Sequence, residues 1–137
     1  MRIPKYLSPS SLGTWEADQE EFYLRYLADK RPPRMPQTQP MSIGSAFDAY
    51  VKSYYHKVLF NTVDPEFEFD TIFINQVEEH NRDWALVAGK YAFDAYQTSG
   101  ALADLLNELQ KSQSDPRFEF TLQDEFMGVP LLGKPDL

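Results

Sequence analysis

The sequence predicts an α/β fold in which a mostly helical N-terminal portion is followed by a β-hairpin at the C-terminal end. Three observations lead there. Apolar residues recur at helical spacing in successive segments as far as Leu109. From Arg117 the period falls to two, with Phe118, Phe120 and Leu122 alternating against Arg117, Glu119, Thr121 and Gln123, the pattern of a half-buried strand. Between the segments stand helix starts, prolines and glycines where each kind of boundary needs them.

The elements follow in order. Ser8 is an N-cap with Pro9 at the first helical position, and Gly13 is expected to interrupt this opening turn. A second start falls at Asp18, with Glu21 three residues on and Phe22, Tyr23, Tyr26 and Leu27 at helical spacing, so a short helix and a longer one are expected. Residues 31–40 hold four of the ten prolines and read as a linker. The clearest amphipathic helix spans 42–59, with Ile43, Ala46, Phe47, Tyr50, Val51, Tyr54 and Val58 on one stripe and Gly44, Asp48 and Tyr55 on its flank. After a loop with an extended piece, Asp70 or Thr71 caps a helix carrying Phe73, Ile74 and Val77. A further helix over 83–97 places Trp84, Val87, Ala88, Tyr91, Ala92 and Ala95 on one face, its small residues allowing close packing. A last helix follows Gly100 with Leu102, Leu105, Leu106 and Leu109. The hairpin occupies 117–137 and turns at "MGVP". A lone hairpin is marginal and exposes its edges, so the sheet reads as unfinished, to be completed by another copy in a homo-oligomer or by a partner.

Composition narrows the function classes. With 137 residues, 42% hydrophobic and 15% aromatic, the chain fits one domain with a buried core. Its zero cysteines exclude an iron–sulfur cluster, a disulfide framework and a thiolate zinc site. No segment has the form of a signal peptide or approaches the roughly 20 apolar residues of a membrane span, so a soluble, cytoplasmic protein without membrane contact is expected. The net charge of −8 argues against a protein that coats nucleic acid by neutralising phosphates. That charge is uneven: residues 1–34 carry six Lys or Arg against five acids, whereas 35–137 carry seven against sixteen. A phosphate-facing surface therefore belongs near Arg25, Lys30, Arg31 and Arg34, although cations at a helix end are also simply favoured by the helix dipole.

Taken together, "LSPSSLGTWEADQEEFYLRYL", "GSAFDAY" and "GVPLLGKPD", in that order, resemble the N-terminal half of the PD-(D/E)xK nuclease superfamily in its RecB-like and phage exonuclease branch. That family runs from an S-x-S-x-L helix through a tyrosine-rich helix and a G-x-x-x-H helix to a strand ending in G-x-x-D, and a further strand with E-x-K completes its site. The resemblance implies a truncated restriction-endonuclease-like core, DNA as partner and Mg²⁺ or Mn²⁺ as cofactor. It makes Asp136 the catalytic, bridging metal ligand and Asp48 an added ligand; Lys134 reads either as a contact to the phosphate backbone or as a strand lysine that protects an edge. Two departures stand out. Asp48 occupies the place where many relatives have histidine, and a carboxylate remains a good oxygen ligand for these ions. Nothing after Asp136 supplies the glutamate and lysine, so this chain by itself is expected to be inactive.

The resemblance thus points to a metal-dependent, exonuclease-like phosphodiesterase of repair or phage recombination. The other class left open is a non-catalytic helical module that binds a protein partner or DNA. His56 and His80 stand alone without zinc-ligand spacing. Glu125 reads as structural, while Trp15, Tyr23 and Tyr26 are either core residues or platforms for unpaired bases.

Overall fold

The computed structural model describes residues 1–137, and the chain divides into two compact units, residues 1–34 with 117–137 and residues 35–116. Six helices precede one two-stranded antiparallel sheet, as the change of period predicts.

In the first unit, helix α1 (Pro9–Ala17) opens with a reciprocal cap: the Ser8 hydroxyl accepts from the Ser11 amide and the Ser11 hydroxyl oxygen accepts from the Ser8 amide. Gly13 lies inside this helix and does not interrupt it. Helix α2 (Gln19–Phe22) is capped by Asp18, which accepts from the Glu21 amide at 2.9 Å. It then widens into a π-helical turn, Tyr23–Leu27, closed by the Ala28 amide on the Tyr23 carbonyl. The expected longer helix is therefore a short α-turn joined to a π-turn. Phe22 is buried, with Trp15 edge-on at 5.3 Å and Tyr26 at 5.0 Å.

Strands β1 (Leu122–Phe126) and β2 (Val129–Gly133) meet in the register Leu122 with Gly133 through Phe126 with Val129. Met127 and Gly128, at φ 51° and 78°, form the two-residue turn whose twist matches the strands. The strand begins five residues later than its alternation suggests, because Glu119 sits at φ 48° and breaks the extended run. Phe118 and Phe120 are half-buried against exposed Arg117 and Glu119, as the alternation predicts, but they precede the strand. Strand β1 itself is exposed throughout, Leu122 included, while Leu131, Leu132 and Gly133 on β2 are half-buried. The sheet is not limited to its hairpin: Leu7 pairs in parallel with Leu131, its amide donating to the Pro130 carbonyl (2.9 Å) and its carbonyl accepting from the Leu132 amide (2.8 Å).

The second unit is wholly helical. Helix α3 (Gln39–Phe60) begins three residues before the sequence-based boundary, Pro40 being tolerated in the first turn, and leaves 31–38 as the irregular connection. Gln37 fixes its entry. This buried side chain donates to the Ser45 hydroxyl and the Gln76 carbonyl and accepts from the Glu78 amide, while its main chain pairs with the Glu78 carboxylate and Asn81. The loop before α4 (Phe69–Gln76) contains a 3₁₀ turn over Pro65–Phe67, opened by Asp64, rather than an extended piece. Glu68, not Asp70 or Thr71, is the N-cap position of α4, and Asp70 lies in its first turn, where the dipole favours an acid.

Helices α5 (Arg82–Thr98) and α6 (Ala101–Lys111) complete the unit. Its core joins Ala46, Ala49, Ile72, Phe73, Val77 and Ala85. The buried faces of α3 and α5 are rotated from the expected stripes. Ala46, Ala49 and Tyr55 are inside α3's face, whereas Val58 is exposed; Ala85, Gly89 and Phe93 are inside on α5, whereas Trp84, Val87 and Tyr91 are exposed. Small residues explain the rotation, because they let the backbones approach: a Cβ built on Gly89 would lie 2.5 Å from the Ala46 Cβ. Tyr55 is fully buried and its hydroxyl donates to the Leu102 carbonyl at 3.0 Å, tying α3 to α6. Burial first, then a hydrogen bond with Tyr96, pushes its pKa well above the ordinary 10.0.

Candidate functional site

The acids nominated by sequence occupy different units. Asp136 follows β2 in the first unit, three residues past the strand end, and is exposed; its main-chain carbonyl accepts from the Glu119 amide at 3.2 Å. Lys134 beside it is also exposed. Asp48 lies midway along α3 in the second unit, one turn beyond Gly44. Around Gly44 there is open space, so this glycine admits no close neighbour of the kind Gly89 does.

Asp48 is engaged. The Lys52 ammonium, one helical turn on, lies 2.8 Å from its carboxylate, and Lys52 is only 5% exposed. An ammonium so removed from water demands a negative partner, and the i, i+4 spacing provides one within a single helix. The pair orients Asp48, yet a divalent ion approaching it would have to share the carboxylate with a buried cation. No three His, Asp or Glu side chains gather where an ion could be held. The individual donors are hard carboxylate oxygens, the kind Mg²⁺ and Mn²⁺ take.

The cations divide as well. Arg25 is paired with Glu21 on its own helical segment. Lys30, Arg31 and Arg34 are exposed along the stretch after the π-turn. Only Arg31 of this cluster reaches a groove of about 490 Å³ in the first unit, and there it meets two cations that the sequence reading passed over, Arg2 and Lys5. Tyr6 and Tyr26 line the same groove, and no carboxylate does. Arg2 is held in place by its amide on the Leu27 carbonyl (2.7 Å) and its guanidinium on the Tyr26 carbonyl (3.3 Å). The available signal was the pair of cations flanking an aromatic in "MRIPKY"; it lay outside any helix or strand pattern and drew no attention.

The two histidines have structural surroundings. His56 is buried and stacked on Phe67, ring centroids 4.3 Å apart and nearly parallel. His80 lies 3.0 Å from the Gln37 carbonyl and 3.6 Å from the Glu78 carboxylate. Glu125 faces Pro130 across the hairpin, exposed like the rest of its strand. A second cleft, about 580 Å³ beside α3 and the start of α4, carries Asp64, Glu68 and Asp70 against Lys57. Its charge is the wrong sign for phosphate. No family model, curated protein or solved structure matches the chain.

Proposed function

We propose that this chain carries part of a metal-dependent DNA nuclease site of the PD-(D/E)xK kind, exonuclease-like in action, with Asp136 as the metal ligand and Asp48 as an added one. One observation supports the reading above the others. The resemblance rests on pieces far apart in sequence, an S-x-S-x-L helix start and a strand leading into Asp136, and the residue just before that helix, Leu7, is hydrogen-bonded on both sides into that same strand at Pro130 and Leu132. Two pieces that carry the resemblance are here neighbours, joined by a single bridge.

When bound, Mg²⁺ or Mn²⁺ would lower the pKa of a water and offset charge on a phosphate oxygen. The chain's own contribution is narrower. Asp136 offers an exposed carboxylate on a segment anchored by the Glu119 amide. Asp48 offers one oriented by Lys52. A glutamate and a lysine would have to be joined to this set before water could be positioned.

The test has two arms. Calorimetric titration of the 137-residue chain with Mn²⁺ should show weak binding that Asp136→Ala removes, and binding indifferent to that change would defeat the assignment. In a protein that joins this chain to a Glu-x-Lys strand, Asp136→Ala should abolish Mg²⁺-dependent DNA degradation with an unchanged circular dichroism spectrum, while Asp48→Ala should raise the Mn²⁺ concentration required. The Asp48–Lys52 pair favours a second reading, a non-catalytic helical module that binds a protein partner or DNA. Under it, DNA or partner binding would proceed without any response to Mn²⁺.

A further inference from the structure

We infer that the groove formed by Arg2, Lys5, Tyr6, Tyr26 and Arg31 binds an unpaired DNA strand. The inference takes the identity of the polymer from the nuclease reading; the preference for a single strand comes from the groove.

Its lining has one sign of charge. Three cations project there with no carboxylate among the lining residues, in a protein whose net charge is −8. An acidic protein that keeps a wholly basic groove has a place where a polyanion is drawn in locally although the molecule as a whole repels it. At about 490 Å³ the groove has the size of an ordinary ligand cleft, about 300–1,000 Å³. Ser8 and Ser11, the reciprocal cap of α1, also line it, so the positive end of that nine-residue helix adds to the same potential.

The rings decide between strand forms. Tyr6 is 49% exposed and Tyr26 is packed on Phe22 at 5.0 Å, so one ring is open and the other is backed by the core. Such rings stack on bases, and a duplex already uses its base faces in its own stack. Cations beside aromatic faces are the means by which single strands are held. Arg2 is oriented before any ligand arrives by its two bonds to the π-turn, at Leu27 and Tyr26. Arg25, spent on Glu21, takes no part.

Fluorescence anisotropy of the full chain with a labelled oligothymidylate, in EDTA, tests this without any call on catalysis. Binding should be tighter to the oligothymidylate than to a hairpin duplex of equal charge and should weaken with salt. Changing Arg2, Lys5 or Arg31 to Gln should each reduce the slope of log affinity against log salt by about 0.7, the single-strand value per phosphate contact. Tyr6→Leu should weaken binding about tenfold with little change in that slope. Arg2→Lys should keep the slope, which separates loss of charge from loss of fold. Equal affinity for the duplex, or oligothymidylate binding that none of the four variants alters, overturns the proposal. Because the binding is read in EDTA and calls on no metal ligand, failure here leaves the metal-site reading standing, and failure of that reading leaves this one measurable.

Discussion

The helical unit and the unit built from the two chain ends are held together by different physics. In the helical unit, side chains do the work: α3 and α5 approach through Ala46, Ala85 and Gly89, and a core of six apolar residues closes around them. The other unit relies on the main chain. Its sheet has a fully exposed strand, its helices are short and capped by Ser8 and Asp18, and its distant parts are joined by amide–carbonyl bonds at Leu7 and Arg2. Close packing makes a unit intolerant of added volume, whereas a hydrogen-bonded frame with exposed faces tolerates volume but not lost donors.

The same substitution in each unit breaks or sharpens that contrast. Gly89→Ala should cost about 1–3 kcal/mol by overpacking, and Gly89→Leu should prevent folding of the helical unit. Gly13→Ala, mid-helix with open space around it, should instead stabilise by about 0.5–1 kcal/mol. Urea denaturation reads both, and a stabilising Gly89→Ala would mean that the helices are not in contact there. Next in size is Asp48→Asn, expected to cost up to about 3 kcal/mol because it weakens the neutralisation of a buried ammonium, with Lys52→Met costing less since it removes the charge itself. The reverse order would show that the pair is governed by something other than burial.

Tyr55→Phe should cost about 1–2 kcal/mol through the lost bond to Leu102. It also carries a pH signature. The folded-state pKa lies above the unfolded value of 10.0, so the protonated hydroxyl favours folding at full strength below pH 10.0, and the advantage fades as pH climbs from there toward the raised folded value. Alkaline unfolding followed by circular dichroism should be less steep in Tyr55→Phe. The smallest effect belongs to the turn: Met127→Asn, at φ 51°, should stabilise the hairpin by about 0.5–1 kcal/mol, seen as slower amide exchange across β1 and β2 with no change in the helical unit.

The same contrast explains what the sequence disclosed. Caps and period changes are local, so Ser8, Asp18 and the helix-to-strand switch were all legible, and six helices ahead of a hairpin followed. Faces were not. An apolar stripe is drawn by large residues, and it pointed to Trp84, Val87 and Tyr91, but the approach of α3 and α5 at Ala46 and Gly89 is made by residues almost without side chains. A mid-chain glutamine gave no sign that Gln37 would anchor α3, the Glu78 loop and Asn81 together, because that role exists only after those segments meet. The carboxylates were nominated by the resemblance alone, while the Lys52 ammonium beside Asp48 was present at i, i+4 and went unread. Arg2, Lys5 and Tyr6 were hidden for the opposite reason, lying in irregular chain where no periodicity directs attention.

The pairing of Leu7 with Leu131 has a consequence for biosynthesis. Residues 35–116 make up one compact unit, so that body can mature as soon as they leave the ribosome. The leading segment has to wait for a pairing partner 124 positions further along, and such long-range closure is the slow kind. Until it occurs the start of α1 and strand β2 cannot meet, so this unit is completed only after translation has passed Leu132.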